Sequence, residues 1–371
     1  MELGFKKGKY LFVPIVMVMI TLFSLSPAQG GDVKPFYKNF YLELGAGGVY
    51  QHRKPIELIQ PQDETAALPV PGKPFTHEID DWAPFGKGTL GYLFNKKLSF
   101  ELNFVALYAR EKTHSAIPGG ANLASGAIPG PSNTSIMPFL DGVSRSGQQG
   151  AELGGQGSNP NATTALGFNY KNNEYDLQLD INYSLTERGP LALQGLFGVG
   201  YTYFYQRASF NTKGIDYDNG RDSLSSTSEK IKDDLVGLRG GVKGKYNLFS
   251  GFYLNGSIVG SLYYRMSKFN GSQDFANVSL PFTGIPSSFS IKVRDVDKGF
   301  APRLSCKIGI GKNFNSKLGV ELFYNFESWW NMSMVDNPTV YLSGGADLVD
   351  HPARIGTQTV YQHFVGAKLV W

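Results

Sequence analysis

Two polar stretches carry side chains suited to proton transfer. His77, Glu78, Asp80 and Asp81 lie close together, as do Asp216, Asp218 and Asp222. A histidine among carboxylates is material for a general base. Asp216-Tyr217-Asp218-Asn219-Gly220 also begins like a calcium loop, but the register and the later glutamate of such a loop are missing. No metal site and no cofactor are expected. Cys306 is the only cysteine, which excludes an intrachain disulfide and a cysteine-ligated zinc. It sits on an apolar parity, where it is a small filler, not a nucleophile.

A larger charged set is arranged differently. Glu43, Lys87, Glu101, Asp176, Asp180, Arg239, Lys243, Lys245, Arg265, Arg303, Lys307, Glu321, Glu327 and Lys368 all fall on the polar parity of segments whose other parity is apolar or aromatic. Basic residues concentrate between 235 and 312, and acids gather at 101, 176, 180, 321 and 327. Facing or neighbouring walls could therefore carry complementary charge. Such walls would orient small polar solutes in an open bore, or pair with one another across a filled one.

The elements that position these residues are strands. In residues 175 to 185, Tyr175, Leu177, Leu179, Ile181, Tyr183 and Leu185 fill one parity, and Asp176, Gln178, Asp180, Asn182 and Ser184 fill the other. A helix would mix the two sets; a strand in lipid needs one face apolar at every second residue. Residues 98 to 108 and 252 to 264 repeat the pattern. The same test predicts ten strands near 40–50, 84–94, 98–109, 174–185, 191–205, 235–248, 252–266, 300–312, 318–328 and 358–371. Lys312, at a strand end, is the one charge on the face assigned to lipid. A soluble sandwich would turn charges outward instead. Mean hydropathy is −0.20 and no apolar run reaches eighteen residues, so a helical span is not expected in the mature chain. The fold class is all-β: a closed antiparallel transmembrane β-barrel of about ten strands.

Connection lengths give an independent check. Asn95 to Lys97, Thr186 to Pro190, Phe249 to Gly251 and Asn313 to Lys317 are short, whereas 51–83, 110–173, 206–234, 267–299 and 329–357 are long. Short periplasmic turns alternating with long external loops are the habit of outer-membrane barrels. Both termini then lie in the periplasm. Residues 110–165, rich in Gly, Ser, Pro and Asn, are expected to form a mobile loop and could hide a short hairpin. Two places resist the scheme. Phe168 and Tyr170 have the opposite parity to Tyr175, which demands a bulge or an extension beyond the membrane. Pro302 should bulge its strand or mark the point where it enters the sheet.

Residues 1–28 have the form of a signal peptide: Lys6, Lys7 and Lys9, the apolar run Leu11 to Phe23, then Ser26-Pro27-Ala28. Its loss lowers the formal net charge from +4 to +2, a balance that suggests no nucleic-acid partner. One barrel domain, 29–371, remains. The expected location is a bacterial outer membrane after Sec-type export, among lipid and lipopolysaccharide. Aromatic residues load the strand ends, as suits rings with polar tips at a membrane boundary. Tyr201, Tyr203, Tyr205, Tyr263, Tyr264, Trp329 and Trp330 are expected in an outer girdle. Phe40, Phe94, Tyr183, Tyr246, Phe252 and Trp371 are expected in a periplasmic one.

The stretch DLVGLRGGVKGKYNLFSGFYLNGSIVGSLYYRMSKF at 234–269 resembles the Legionella-type pore-forming major outer-membrane proteins, as does KLGVELFYNFESWWNMSMVDNP at 317–338. The resemblance covers about the last third of the chain, with Ser261-Leu262-Tyr263-Tyr264 standing where the family has Leu-Leu-Tyr-like residues. It departs at Leu238, where the family often has proline. The aromatic end after Val365, Ala367 and Leu369 is similar to the signal read by barrel-assembly machinery, which implies insertion by that machinery.

About eight strands leave an interior just filled by side chains, and sixteen or more leave an aqueous channel. Ten lies near the filled end. The resemblance tips the expectation toward a narrow porin-like channel for ions or small polar solutes. The alternative is a non-conducting barrel whose loops act as adhesin or surface antigen. A further alternative is an outer-membrane protease, since some ten-stranded barrels are similar to omptins, which use an Asp pair facing a His-Asp dyad. The spacing here does not match, and no enzyme is expected.

Overall fold

The computed structural model describes residues 39–53, 56–59, 62–63, 70–71, 75–77, 80–95, 97–117, 163–216, 221–276, 289–315, 318–336, 340–343, 346–349 and 354–371. The expected signal peptide and residues 118–162 of the long loop lie outside the described residues. Ten antiparallel strands close one barrel: β1 Phe40–His52, β2 Asp80–Leu93, β3 Leu98–Ile117, β4 Thr163–Arg188, β5 Leu191–Asp216, β6 Arg221–Asn247, β7 Phe252–Ala276, β8 Phe289–Asn313, β9 Gly319–Asp336 and β10 Arg354–Val370. Each strand pairs with its sequence neighbours, and β1 pairs with β10 from Glu43 opposite Val370 to His52 opposite Tyr361. Trp371 takes part in the closure: its N–H donates to Leu42 O at 2.8 Å, and Leu42 N–H donates to Trp371 O at 2.7 Å. Closure leaves no unpaired edge to face lipid. Short two-stranded pairs, such as Ile56–Ile59 with Phe75–His77 and Val340–Ser343 with Ala346–Val349, occur within the connections.

The short turns are built from local chemistry. Asn95 accepts hydrogen bonds from the N–H groups of Lys97 and Leu98, and Asn315 accepts one from Leu318 N–H. Both are side-chain mimics of a backbone turn. Between β4 and β5 only Gly189 and Pro190 remain outside the strands. Gly189 has φ +57°, which a residue with a Cβ rarely adopts.

At the short-turn end the strands stop within three residues of the positions expected from sequence. At the other end they overshoot. β4 begins at Thr163 instead of 174, β5 runs to Asp216 instead of 205, β6 begins at Arg221 instead of 235, and β8 begins at Phe289 instead of 300. The supposed loop 110–165 correspondingly gives up 110–117 and 163–165 to strands. The physical reason is that alternation is demanded only where one face meets lipid. On β6 the exposed apolar side chains Val236, Leu238, Val242 and Tyr246 mark that zone. It is as long as the ~9–11 residues a tilted strand needs to cross a bilayer, while β6 itself has 27 residues.

Both anomalies are resolved. β3 and β4 pair without interruption from Leu98 opposite Tyr183 to Ile117 opposite Thr164, so the parity of Phe168 and Tyr170 reflects an extension beyond the membrane and not a bulge. Tyr170 is buried on the interior parity. At Pro302, pairing with β7 continues unbroken, but the ladder to β9 starts only at Arg303 opposite Trp329. The missing N–H therefore falls where that ladder ends. Just beyond, Asn331 of β9 adopts φ +56° and donates from Nδ2 to Phe300 O at 3.2 Å, tying the two strands by a side chain.

Candidate functional site: the barrel interior

All fourteen charged residues expected on the inner parity lie on the interior parity of the barrel, and most meet there. Arg303 is the centre of the arrangement. Its Nη1 lies 2.8 Å from Asp176 Oδ2, its Nη2 lies 2.6 Å from Glu327 Oε2, and its guanidinium carbon lies 4.4 Å from the Trp329 ring centroid. Asp176 is on β4 and Arg303 on β8, so this bond crosses the bore. Thr202 Oγ1 donates to Asp176 at 2.9 Å, and Asn325 Nδ2 to Glu327 at 2.8 Å, which satisfies lone pairs the arginine leaves over. Further bridges span the interior: Arg239 to Asp180 at 3.1 Å, Lys243 to Glu101 at 2.5 Å, and Gln362 to Glu174 at 2.6 Å. In low dielectric a bridge of this kind is strongly destabilising to break on one side, because the remaining charge stays buried.

Apolar layers lie against this network. Phe204, Leu235, Tyr263, Ala301, Trp329, Met332 and Val360, contributed by β5 to β10, are each at most 1% exposed. Phe204 meets Trp329 edge to face, with ring centroids 5.3 Å apart. On the wall formed by β1, β2, β3, β9 and β10, Val49, Ala83, Phe85, Leu107, Ala109, Phe323 and Phe364 form a second cluster. The interior is therefore packed at mid-height, as a bore of about ten strands allows.

Toward the short-turn end the interior turns basic. Lys368 bridges Glu43 at 2.8 Å and Glu321 at 3.1 Å, and Lys307 meets the other oxygen of Glu321 at 2.8 Å. Lys87 and Lys245 face rings instead, Phe323 at 4.5 Å and Tyr253 at 4.1 Å. Glycine makes room here: a Cβ at Gly91 would overlap the Tyr41 ring at 2.0 Å, and one at Gly311 the Tyr253 ring at 2.2 Å.

Toward the long-loop end the interior is polar, then apolar. Arg265 pairs with Asp297, donates to Asn331 O at 2.6 Å and to Ser333 Oγ at 2.9 Å. Above it Ile231, Phe269 and Val293 cluster with Val335 and Ile355. Glu229, five residues beyond Asp234 and clear of the apolar band, is 2% exposed, and burial pushes its carboxyl up to about 8.

Several of these residues were not among the sequence-predicted ones. Glu174 shares the parity of Asp176 and Asp180, a signal present in the sequence. Arg53, Asp233, Glu229 and Asp297 lie beyond the strand ends that alternation could mark. The girdle needs two corrections: Tyr263 and Trp329 are buried in the interior. Consecutive residues of a strand point to opposite faces, so only one of Tyr263 and Tyr264, and one of Trp329 and Trp330, faces outward. Tyr264, Trp330 and Trp371 are exposed, Tyr201 and Tyr203 are partly so, and Tyr205 is on the outer parity but buried by its neighbours. Tyr201 OH donates to Asp234 at 2.7 Å. Cys306 lies on the outer parity as expected; His363 is on that parity too, with its Nδ1 2.7 Å from Tyr324 OH. The side chains of His77, Glu78, Asp80, Asp81, Asp216, Asp218 and Asp222 lie outside the described residues, as does the backbone of Glu78 and Asp218. Among the described residues no group of three or more His, Cys, Asp or Glu is placed to hold a metal.

On the outer surface, just beyond the apolar band, cross-strand partners carry like charge. Lys171 stands opposite Arg207, Arg207 opposite Lys230, and Lys232 opposite Lys268. Exposed Arg294 and Lys298 continue the collar on β8. Like charges directly opposite destabilise a sheet unless counter-ions intervene.

Closed strand topology and an outward apolar belt define a transmembrane β-barrel of the outer-membrane kind. No family model matches the chain, and no curated protein matches it. Solved structures do. The chain is similar to the outer membrane protease OmpT from Escherichia coli at 13% identity and a TM-score of 0.43, covering 92% of this chain and 99% of that one. It is similar to a major outer membrane protein from Thermus thermophilus at 12% identity and a TM-score of 0.30, covering 90% and 98%. A third match is the toluene transporter TodX of Pseudomonas putida, at 9% identity and a TM-score of 0.28, covering 90% and 89%.

Proposed function

We propose that this chain is an outer-membrane β-barrel that keeps its bore shut at rest and presents its long extension at the cell surface. The observation that carries the reading is Arg303, bonded across the bore to Asp176 and on its own wall to Glu327 of the adjacent strand, beneath a buried Trp329. The short turns then face the periplasm, and the basic collar lies at the outer boundary, where lipopolysaccharide phosphates supply its counter-ions. Export through residues 1–28 and assembly through the strand ending at Trp371 belong to the same reading. The extension is the surface through which an adhesin or antigen would act.

A second reading, the narrow porin-like channel, is favoured by the stacked charged layers and by the resemblance to Legionella-type pore-forming proteins. In it, the Arg303 bonds are a gate. Osmotic swelling of proteoliposomes in a small sugar separates the two. The occluded barrel swells no faster than protein-free vesicles, whereas swelling at porin-like rates by wild-type protein would replace the first reading with the second.

A further inference from the structure

On the outer face of β3 to β8, positions just past the apolar belt fall into one cross-strand row. Arg110 stands opposite Lys171, Lys171 opposite Arg207, Arg207 opposite Lys230, Lys230 opposite Asn270, and Asn270 opposite Arg294. Every member but Asn270 is a cation. Neighbouring strands lie about 4.8 Å apart, so adjacent long side chains in the row can meet on one small anion. The next row toward the belt adds Lys232 opposite Lys268, and the one after it Lys298 opposite Met266. Among the described residues none of these cations takes part in an ion pair. The described acids on this face are Asp234, which accepts from Tyr201 OH at 2.7 Å, and Asp274, beyond the row on β7.

Like charges directly opposite one another destabilise a sheet, and alternating signs would have solvated this wall equally well. The row is also one-sided. On β1, β2, β9 and β10 the described residues include no Lys or Arg on the outer parity. Rings take their place: His52 stacks on Tyr361 with centroids 6.3 Å apart, and Tyr361 on Phe326 at 6.2 Å. A rim that served only solubility would carry charge on both sides. Going from the cations into the belt, Tyr175 stands opposite Tyr203, the two rings stacked at 6.4 Å, followed by Leu177 opposite Tyr201 and Tyr264 opposite Phe300. Cation, ring and apolar side chain thus follow one another as phosphate, sugar and acyl chain do in a phosphorylated glycolipid.

We propose that this face of β3 to β8 is a docking site for a single lipopolysaccharide molecule, its headgroup phosphates held by Arg110, Lys171, Arg207 and Lys230 and its acyl chains laid along Tyr203 and Leu177. Charge complementarity selects the occupant. A phospholipid headgroup brings one phosphate and engages only part of the row, whereas a lipid with several phosphates spans it, and the arginines can fork onto phosphate oxygens. The inference rests on the proposed placement of the long-loop end at the cell surface, and narrows a diffuse supply of counter-ions to one lipid on one wall.

The test is binding of purified diphosphoryl lipid A to the mature barrel refolded in zwitterionic detergent, with folding checked by heat-modifiable gel mobility and stoichiometry read by native mass spectrometry. One lipid A should bind per barrel, roughly tenfold tighter than phosphatidylglycerol. The Arg207→Ala, Lys230→Ala double variant should weaken binding roughly tenfold. Arg354→Ala, which removes an exposed cation at the start of β10, should leave it unchanged. No binding, an affinity no better than that for phosphatidylglycerol, or equal losses at the two places would overturn the proposal. Binding in micelles does not depend on which end of the barrel faces out; antibody labelling of intact cells through an epitope inserted after Gly147 reads that separately. Labelling without lipid A binding removes the docking site and leaves the orientation. Lipid A binding with no labelling until the outer membrane is permeabilised overturns the orientation and, with it, the lipopolysaccharide assignment.

Discussion

On β6 the segment Val236 to Tyr246 and the segment Arg221 to Leu235 are one continuous strand, yet they obey different rules. In the first, exposed Val236, Leu238, Val242 and Tyr246 alternate with interior Gly237, Arg239, Lys243 and Lys245. In the second, Lys230 and Lys232 point outward while Ile231, Asp233 and Leu235 are buried inside. The interior parity is continuous; only the outer solvent changes. A barrel strand is thus recognisable from sequence where lipid constrains it, and loses its signature where water replaces lipid on one face.

The largest effect expected to sharpen this contrast is inside the lipid-level segment, where Arg303 of β8 stands in register with Ser261 and Arg239. Arg303→Ala leaves Asp176 and Glu327 buried without their cation and should cost about 3–5 kcal/mol, read from reversible urea unfolding in lipid vesicles. Replacing all three with apolar residues of similar volume should recover most of the loss. Next is the outer face. Ile308, 62% exposed within the belt, should lose about 2–4 kcal/mol as Ile308→Arg near mid-membrane, with the same unfolding assay. Lys268→Ala, on the outer face of the extension, should change stability by no more than ~0.5 kcal/mol. Equal costs at the two sites would erase the distinction between the segments.

Glu229 gives the extension its own pH signature. Folding raises its carboxyl from the usual 4.5 to about 8, so the folded state holds a proton that the unfolded state has released. Stability of the extension is therefore greatest below about pH 4.5, falls by up to a few kcal/mol as pH rises toward 8, and levels off above it. Hydrogen exchange at Ile231 and Phe269 follows this directly, and Glu229→Gln should flatten the profile. The smallest effect belongs to the collar. Lys232→Glu would pair with Lys268, and should reduce lipopolysaccharide retained through purification while leaving unfolding in phospholipid nearly unchanged.

The sequence revealed the barrel, its ten strands and the parity of the fourteen charged residues assigned to the interior, because alternation and turn spacing are local. It left open which charges meet. Asp176 and Arg303 are separated by 127 positions, and only the order and stagger of the strands brings them together. Glu174 shares the parity of Asp176 and Asp180 and is legible by it. Clustering of aromatics puts Tyr263 and Trp329 in a girdle, but the strict inside-outside rule that separates neighbours in a strand turns them inward. Asp233, Glu229 and Asp297 were out of reach, since they lie where no lipid imposes a pattern.

The central claim is that the interior is bonded shut, and planar-bilayer recording tests it most directly. Wild-type barrel should show no discrete conductance steps, and the Arg303→Ala, Trp329→Ala double variant should show them at the same protein density. Steady steps of equal size in wild type and variant would contradict the account.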